Sequence, residues 1–227
     1  MSSLERRKII DLTQVFEPGM PIMPALPPPA MWPVLRQDEG DYVNANVIQY
    51  CEHSGTHIDS PAHFVKGGTT LESLPLDSLM GPAVVLNLAD KQGDVSIDAS
   101  DLEDAQRAAS PIESGDVVLL RTGHSFLWDV KPRSRAFIEG GWPYLNERAA
   151  DYLLRAGIRA LGVETPDPDR LGSTEFPTHY ALLPAGIPII ENLCNLDQIG
   201  VARCDFIALP LKVRDGTGGP CRALALV

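Results

Sequence analysis

One stretch of the chain, residues 53–64, restricts its backbone to an extended conformation. It reads HSGTHIDSPAHF, in which Gly55 and Pro61 would interrupt a helix and the β-branched residues between them disfavour one. Alternate side chains of an extended strand share a face. The pattern therefore predicts one face, left uncrowded at Gly55, that carries four side chains able to bind a metal: His53, His57, Asp59 and His63.

The residue types on this face indicate a metal site with catalytic chemistry. Imidazoles and carboxylates are ligands of Zn²⁺, Mn²⁺ and Fe²⁺, and a single histidine would be weaker evidence than this group. Ligation by His53, His57 and Asp59 alone would leave coordination positions open, as catalytic sites do. His63 follows Pro61, which should bend the chain, so its free imidazole suits a general acid or base.

Hydrolysis is the reaction that these residues favour, because a metal lowers the pKa of bound water and stabilises an oxyanion. Other metal chemistries fit less well. The HExxH pattern of zinc proteases is absent. His57, Asp59 and the distant His179 imitate the facial triad of non-haem iron oxygenases, but His53 and His63 would then be surplus. A non-catalytic metal-binding protein is the remaining alternative.

Two distant residues are further candidates for the site. His179 opens a predicted helix and Glu191 ends a predicted strand, and such positions are where α/β folds build sites. Each could complete a second metal position or hold substrate. His124 follows a predicted strand and fits a loop or a pocket lining equally well.

Charge and cysteine usage limit the partners and the location. The 227 residues carry a net charge of −11, with no basic cluster beyond residues 6–8, so nucleic acid and anionic membranes are poor partners. No apolar run is long enough to span a bilayer, and none follows the basic N-terminal residues as a secretory signal would require. The four scattered cysteines predict reduced thiols and a cytoplasmic protein.

Apolar runs and turn residues predict a single α/β domain with a mixed sheet. Asn146 and Gly157 bound one predicted helix, Ser100 or Asp101 caps another, and Thr178 could cap a third. The proline-rich segment 16–34 predicts an ordered loop that forms one wall of the active site, and 125–143 a second loop. The predicted strands cover residues 8–12, 42–51, 83–88, 117–122, 158–163, 186–192, 205–211 and 223–227.

The motif His-x-Gly-Thr-His-x-Asp-x-Pro-x-His-Phe at 53–64 resembles the signature of the metal-dependent cyclase family. That family includes bacterial kynurenine formamidase, isatin hydrolase and a trans-dienelactone hydrolase. Weaker similarities follow in the same order over most of the chain, at residues 18–21, 120–123, 162–166, 191–193 and 218–222.

The resemblance implies a compact domain, of the family's swivelling β/β/α type, with a barrel-like mixed sheet and flanking helices. It also implies homodimers or homotetramers in which subunits contribute to neighbouring sites. By this similarity His53, His57 and Asp59 bind the metal and His63 is the catalytic acid or base. In the formamidase pattern His179 and Glu191 hold a second ion, whereas in the isatin hydrolase pattern a single Mn²⁺ suffices and His179 faces substrate.

The activity implied is cleavage of the C–N bond of a small linear or cyclic amide with Zn²⁺ or Mn²⁺, and a lactone hydrolase is the nearest variant. Kynurenine formamidases have a tryptophan in the N-terminal loop where this chain has Met23, and Glu164 stands where many members have aspartate. These departures argue against N-formylkynurenine as the substrate. The segment from Pro27 to Trp32, with residues 192–193 and 218–222, is more similar to the isatin hydrolase branch. Met23, Trp32 and Phe64 are the predicted substrate contacts.

Overall fold

The apolar runs of the sequence form the strands of one large sheet and two small ones. This structure, a computed structural model, describes residues 7–129 and 135–227. The strands within those ranges are β1 (Ile9–Asp11), β2 (Ala30–Leu35), β3 (Ala45–Gln49), β4 (His57–Asp59), β5 (Met80–Asn87), β6 (Ser96–Ile97), β7 (Val117–Arg121), β8 (Tyr144–Leu145), β9 (Ala160–Val163), β10 (Ile189–Glu191), β11 (Arg203–Pro210) and β12 (Gly218–Leu226).

Seven strands close into a barrel. Their order is β12-β11-β5-β7-β9-β10-β4, and β4 pairs with β12 to complete the ring, while β1 pairs with the far end of β12. The parallel pairs are β5–β7, β7–β9 and β9–β10. The other pairs in the ring are antiparallel. The predicted barrel-like mixed sheet is confirmed.

The parallel strands are buried on both faces, which explains their continuous apolar sequences. On β5, Ala83 and Val85 join one apolar cluster with Phe206 of β11. Val84 and Leu86 point the other way, into a second cluster with side chains of the helices. The first cluster therefore fills the barrel and the second joins it to the helices.

Four α-helices lie in the described residues: α1 (Ala99–Ala108), α2 (Ala136–Glu139), α3 (Glu147–Ala156) and α4 (Pro177–Leu182). The predicted boundaries of α3 are confirmed, since the Asn146 side chain accepts the amide proton of Ala149 and Gly157 adopts φ +67°. No described helix has the length and apolar character needed to cross a bilayer.

Two predicted helix caps are wrong. Helix α1 begins two or three residues earlier than predicted, because Asp98 caps it and the side chain of Asp101 accepts the Asp98 amide proton. At α4 the capping position is Phe176, with φ +45°, and Pro177 opens the helix instead of Thr178.

The two predicted loops contain regular structure. Segment 16–34 ends in β2, which pairs with β3 as an isolated ribbon, where Pro33 breaks no central ladder. Segment 125–143 contains α2 and most of a 3₁₀ turn at His124–Leu127, and its residues 130–134 lie outside the described ranges. Strand β12 also begins five residues before the predicted 223–227.

The histidine stretch is extended over three residues only. Strand β4 is His57–Asp59, Pro61 opens a 3₁₀ turn that ends at His63, and Gly55 has φ +66°. The predicted extended conformation is therefore wrong for residues 53–56, whereas the predicted bend at Pro61 is confirmed. Gly55 serves the turn before β4, where a side chain on it would also contact Phe16 and Met20.

Candidate metal centre

Strands β4 and β10 bring the first group of site residues together. Ile58 points into the barrel core, so its neighbours His57 and Asp59 point to the outer face. His57 lies directly opposite Glu191 in the antiparallel register. All three polar residues are almost completely buried.

His53 reaches the same place from the turn before β4. Its Nδ1 lies 2.6 Å from Asp59 Oδ1, and its Nε2 lies 3.0 Å from the hydroxyl of Thr217. The ring rests against Gly218, where a Cβ would stand 2.5 Å from His53 Cε1. Glycine at the start of β12 is therefore required for this ligand position.

His179 completes the cluster from the first turn of α4. Its Nε2 lies 3.3 Å from Asp59 Oδ2 and 3.7 Å from Glu191 Oε1. Its Nδ1 donates a 2.6 Å hydrogen bond to Asp169 Oδ2. Asp59 thus lies between the pair His53 and His57 and the single residue His179.

The orientation of His57 fits a bound cation. Its Nδ1–H donates to the carbonyl oxygen of Gly55 at 2.9 Å, so Nε2 carries the lone pair of the neutral ring. This buried Nε2 has no hydrogen-bond partner among residues 7–129 and 135–227. It points at Asp59 Oδ1 and Glu191 Oε2, each 3.4 Å away. A lone pair that faces two carboxylates is stable when a positive ion lies between them.

The carboxylates of the centre have shifted pKa values. Burial would raise the pKa of Asp59, but hydrogen bonds from His179 and His53 and the nearby ring of His57 outweigh it and hold this pKa well below its usual range. Burial and the nearby charges of Asp59 and Asp167 raise the pKa of Glu191 well above its usual value. Burial likewise raises the pKa of Asp167 to about 7. Such a concentration of buried acids favours a divalent cation.

The imidazoles respond to these carboxylates in different ways. Burial would lower the pKa of His179, but hydrogen bonds to Asp169 and Asp59 raise it to about 10. For His63 partial burial dominates and lowers the pKa to about 4, although the residue as a whole is exposed. His63 stacks on His53 with ring centroids 3.8 Å apart. It can also be grouped with Asp59 and His179 as a possible ligand set.

A cavity of about 270 Å³ opens onto the cluster. Met23 and Phe64 line it, as expected for substrate contacts, and Phe64 stacks on His179 at 4.3 Å. Trp32 is not among the lining residues, because it lies on β2 with 45% of its surface exposed. Its predicted contact with substrate would therefore need a second subunit. The remaining walls are mainly apolar and include Ile22, Leu26, Ile138, Pro166 and Phe176.

His124 and Glu164 do not join the metal centre. His124 Nε2 bonds to the carbonyl oxygen of Phe137, which anchors α2. Glu164 follows β9 and accepts the amide protons of Thr122 and Gly123, so it fixes the loop after β7. The departure at Glu164 thus lies behind the cavity and not on its surface.

Three polar residues near the centre have no role in the sequence prediction. Asp167 lines the cavity, Asp169 bonds to His179, and the side-chain amide of Asn192 donates to the carbonyl oxygen of Gly55. The motif Asp167-Pro168-Asp169 is visible in the sequence as a cluster of acids, and it precedes His179 by ten residues. The short distance in sequence between these acids and His179 is the signal from which their place near the metal centre could be predicted.

Comparisons with known proteins agree with this geometry. The profile of the Cyclase family matches residues 10–170. The kynurenine formamidase of Erythrobacter litoralis is 33% identical over 219 residues, which are 96% of this chain and 94% of that protein. Isatin hydrolase A from Labrenzia aggregata superposes with a TM-score of 0.85 at 29% identity, over 97% of this chain and 94% of that one. A structure described as a potential metal-dependent hydrolase with cyclase activity gives 0.77 at 30% identity, over 97% and 98%.

Proposed function

The chain belongs to the cyclase family, and from that membership we propose that it is a metal-dependent hydrolase that cleaves the C–N bond of a small linear or cyclic amide. The observation that carries the proposal is the buried lone pair of His57 Nε2, which faces the carboxylates of Asp59 and Glu191. The cavity beside it supplies the space for substrate.

The ligands divide into two positions that share Asp59. His53 and His57 belong to one, and His179 and Glu191 to the other. This arrangement supports one or two ions of Zn²⁺ or Mn²⁺, since nitrogen and carboxylate donors suit both metals.

A bound divalent metal would supply an activated water and polarise the substrate carbonyl. His63 performs the proton transfers. No hydrogen bond occupies its imidazole within the described parts of the chain, and its ring lies beside His53 at the mouth of the ligand set. In its neutral form it accepts a proton from the attacking water and returns it to the departing nitrogen.

The cavity walls support a flat, mostly apolar substrate. Phe64, Phe176 and Ile138 provide broad contact surfaces, while Asn192 is a polar lining residue beside the metal ligands. This lining favours a cyclic aromatic amide of the isatin type over a substrate with a charged tail. A lactone of similar shape is the competing substrate.

We also propose a homodimer or homotetramer in the cytoplasm. The support for self-association is the β2–β3 ribbon, whose two faces carry exposed cross-strand pairs of apolar residues: Met31 with Ile48, and Trp32 with Val47. The support for the cytoplasm is that all four cysteines are free.

The test is metal analysis combined with assays on isatin, N-formylkynurenine and an aromatic lactone. We expect metal-replete protein to open isatin fastest, and chelator-treated protein to be inactive until metal returns. His63→Ala should keep its metal and lose about 100-fold or more in kcat. The matched control is His124→Gln, which removes a buried histidine outside the cavity. A metal-replete enzyme that hydrolyses none of the three substrates would contradict the proposal.

A further inference from the structure

We propose that Asp169 is a positioning residue that directs His179 Nε2 toward Asp59 and Glu191 and so builds the second metal position. This inference rests on the proposed metal-dependent function. It assigns a role to a carboxylate that lies outside the ligand set itself.

The carboxylate of Asp169 is fully buried, and its partners all belong to the start of α4. It accepts the amide protons of Thr178 at 2.7 Å and His179 at 3.2 Å, and the ring Nδ1–H of His179 at 2.6 Å. A buried carboxylate is stable only when such donors surround it. One side chain therefore fixes both the first turn of the helix and the ring that the helix carries.

The hydrogen bond to Asp169 decides which nitrogen of His179 faces the metal centre. Phe64 stacks on the ring at an interplanar angle of 21°, which sets the plane of the imidazole. Stacking does not distinguish the ring from its flipped form, in which carbon atoms would face Asp59. The 2.6 Å bond from Nδ1–H to Asp169, shorter than the 3.3 Å contact of Nε2 with Asp59, makes the two forms unequal and turns Nε2 toward the ligand set.

Asp169 is itself held from two sides. Its amide donates to Asp167 Oδ1 at 2.6 Å, and its carbonyl oxygen accepts the indole N–H of Trp142 at 2.8 Å. Trp142 is fully buried in the small apolar cluster with Phe137 and Ile138. The carboxylate therefore stands on a fixed backbone, which a positioning residue requires.

The two metal positions differ in how their histidines are oriented. His57 donates to a neutral carbonyl oxygen, that of Gly55, whereas His179 donates to a charged carboxylate. Loss of an outer partner of this kind typically weakens metal binding about 10- to 100-fold. In Asp169→Asn we therefore expect that loss for the second metal equivalent and less than about a threefold change for the first.

The experiment is a calorimetric titration of the metal-free protein with Zn²⁺ and, separately, with Mn²⁺. Elemental analysis then counts the bound metal. Asp169→Asn and His179→Gln should both lose the second equivalent under conditions where the wild-type chain keeps two. The matched control is Asp116→Asn, since Asp116 is also buried and accepts a backbone amide but lies at the start of β7. This control should bind both equivalents.

A second readout needs only the wild-type chain. Imidazole ¹⁵N NMR should show His179 protonated at Nδ1 with and without metal, and metal should shift Nε2. Binding of both equivalents by Asp169→Asn with wild-type affinity would overturn the inference, as would metal bound at Nδ1. One equivalent in the wild-type chain would overturn it too and leave the hydrolase intact, whereas no bound metal at all would overturn the proposed function.

Discussion

The metal centre and the β2–β3 ribbon differ strongly in burial. At the centre, His57 and His179 are each 2% exposed and Asp59 is 1% exposed, although all three are polar. In the ribbon, Val34 is 58% exposed and Ile48 is 54% exposed, although both side chains are apolar. In these two regions, whether a side chain is buried depends on the groups that it can contact and not on its own polarity. The polar residues contact one another around the candidate cation site, and for the ribbon we propose a partner surface on a second subunit.

The largest expected effect comes from the residue shared by both metal positions. Asp59→Ala removes the one carboxylate that contacts all three histidines, so that Glu191 remains as the carboxylate beside both His57 and His179. We expect the variant to lose its metal and at least about 1,000-fold in kcat/KM. Elemental analysis and steady-state kinetics measure both. If the variant keeps the metal content of the wild type, metal binding does not depend on Asp59, and the proposed difference between the metal centre and the ribbon is contradicted.

A smaller effect is expected at the glycine beneath His53. In Gly218→Ala the new methyl group would meet the His53 ring and the carbonyl oxygen of Ile58, 2.8 Å away, so the ring must move. We expect about 1–3 kcal/mol lower stability from the added bulk. The displaced ligand should weaken the first metal equivalent about tenfold.

The control for that variant is Gly140→Ala. Gly140 has φ −81°, and its nearest contact to an added Cβ is an ordinary 3.7 Å. We expect this control to match the wild-type chain in stability, measured by thermal denaturation, and in metal affinity, measured by titration. Equal losses in both variants would mean that glycine itself, and not the space for His53, matters.

The pH profile tests the proton carrier. Because the pKa of His63 is lowered from its ordinary value of 6.5 to about 4, the ring stays neutral in the folded protein at pH values well below 6.5. A nearby cation lowers it further. The kcat/KM should therefore stay level as pH falls to about 5, whereas an unshifted base would lose activity below about 6.5. The unfolded chain protonates first, so this group makes the fold less stable as pH falls from 6.5 toward 4.

The smallest effect on the metal centre is expected from the ribbon. Ile48→Glu places a charge on an apolar face where Ile48 is 54% exposed and pairs with Met31. Light scattering should show a smaller assembly, while metal content stays at the wild-type level. Val201→Glu is the matched control for added charge, because Val201 is apolar, 48% exposed and outside the ribbon. An unchanged mass would remove the ribbon from the proposed interface.

Local sequence signals predicted the elements whose cause is local. Strands β5 and β7 were found as continuous apolar runs, and α3 was found from Asn146 and Gly157. The extent of β4 was not predictable in this way, because the positive φ of Gly55 and the turn at Pro61 serve contacts with distant segments. The site was predicted where ligand types cluster in sequence. Asp169 was missed because its buried bonds depend on how α4 packs against the segment before it.

The closure of the barrel by β12 also determines when the metal centre can form during folding. Residues 57–59 pair with residues 218–220, and His53 meets Thr217 across 164 positions of the chain. Contacts between such distant residues form slowly, because a long loop must close before they are made. The clustered histidines at 53–63 therefore cannot act as a local nucleus for the native site. A nascent chain acquires the geometry of its metal centre only after residues 217–220 have been synthesised.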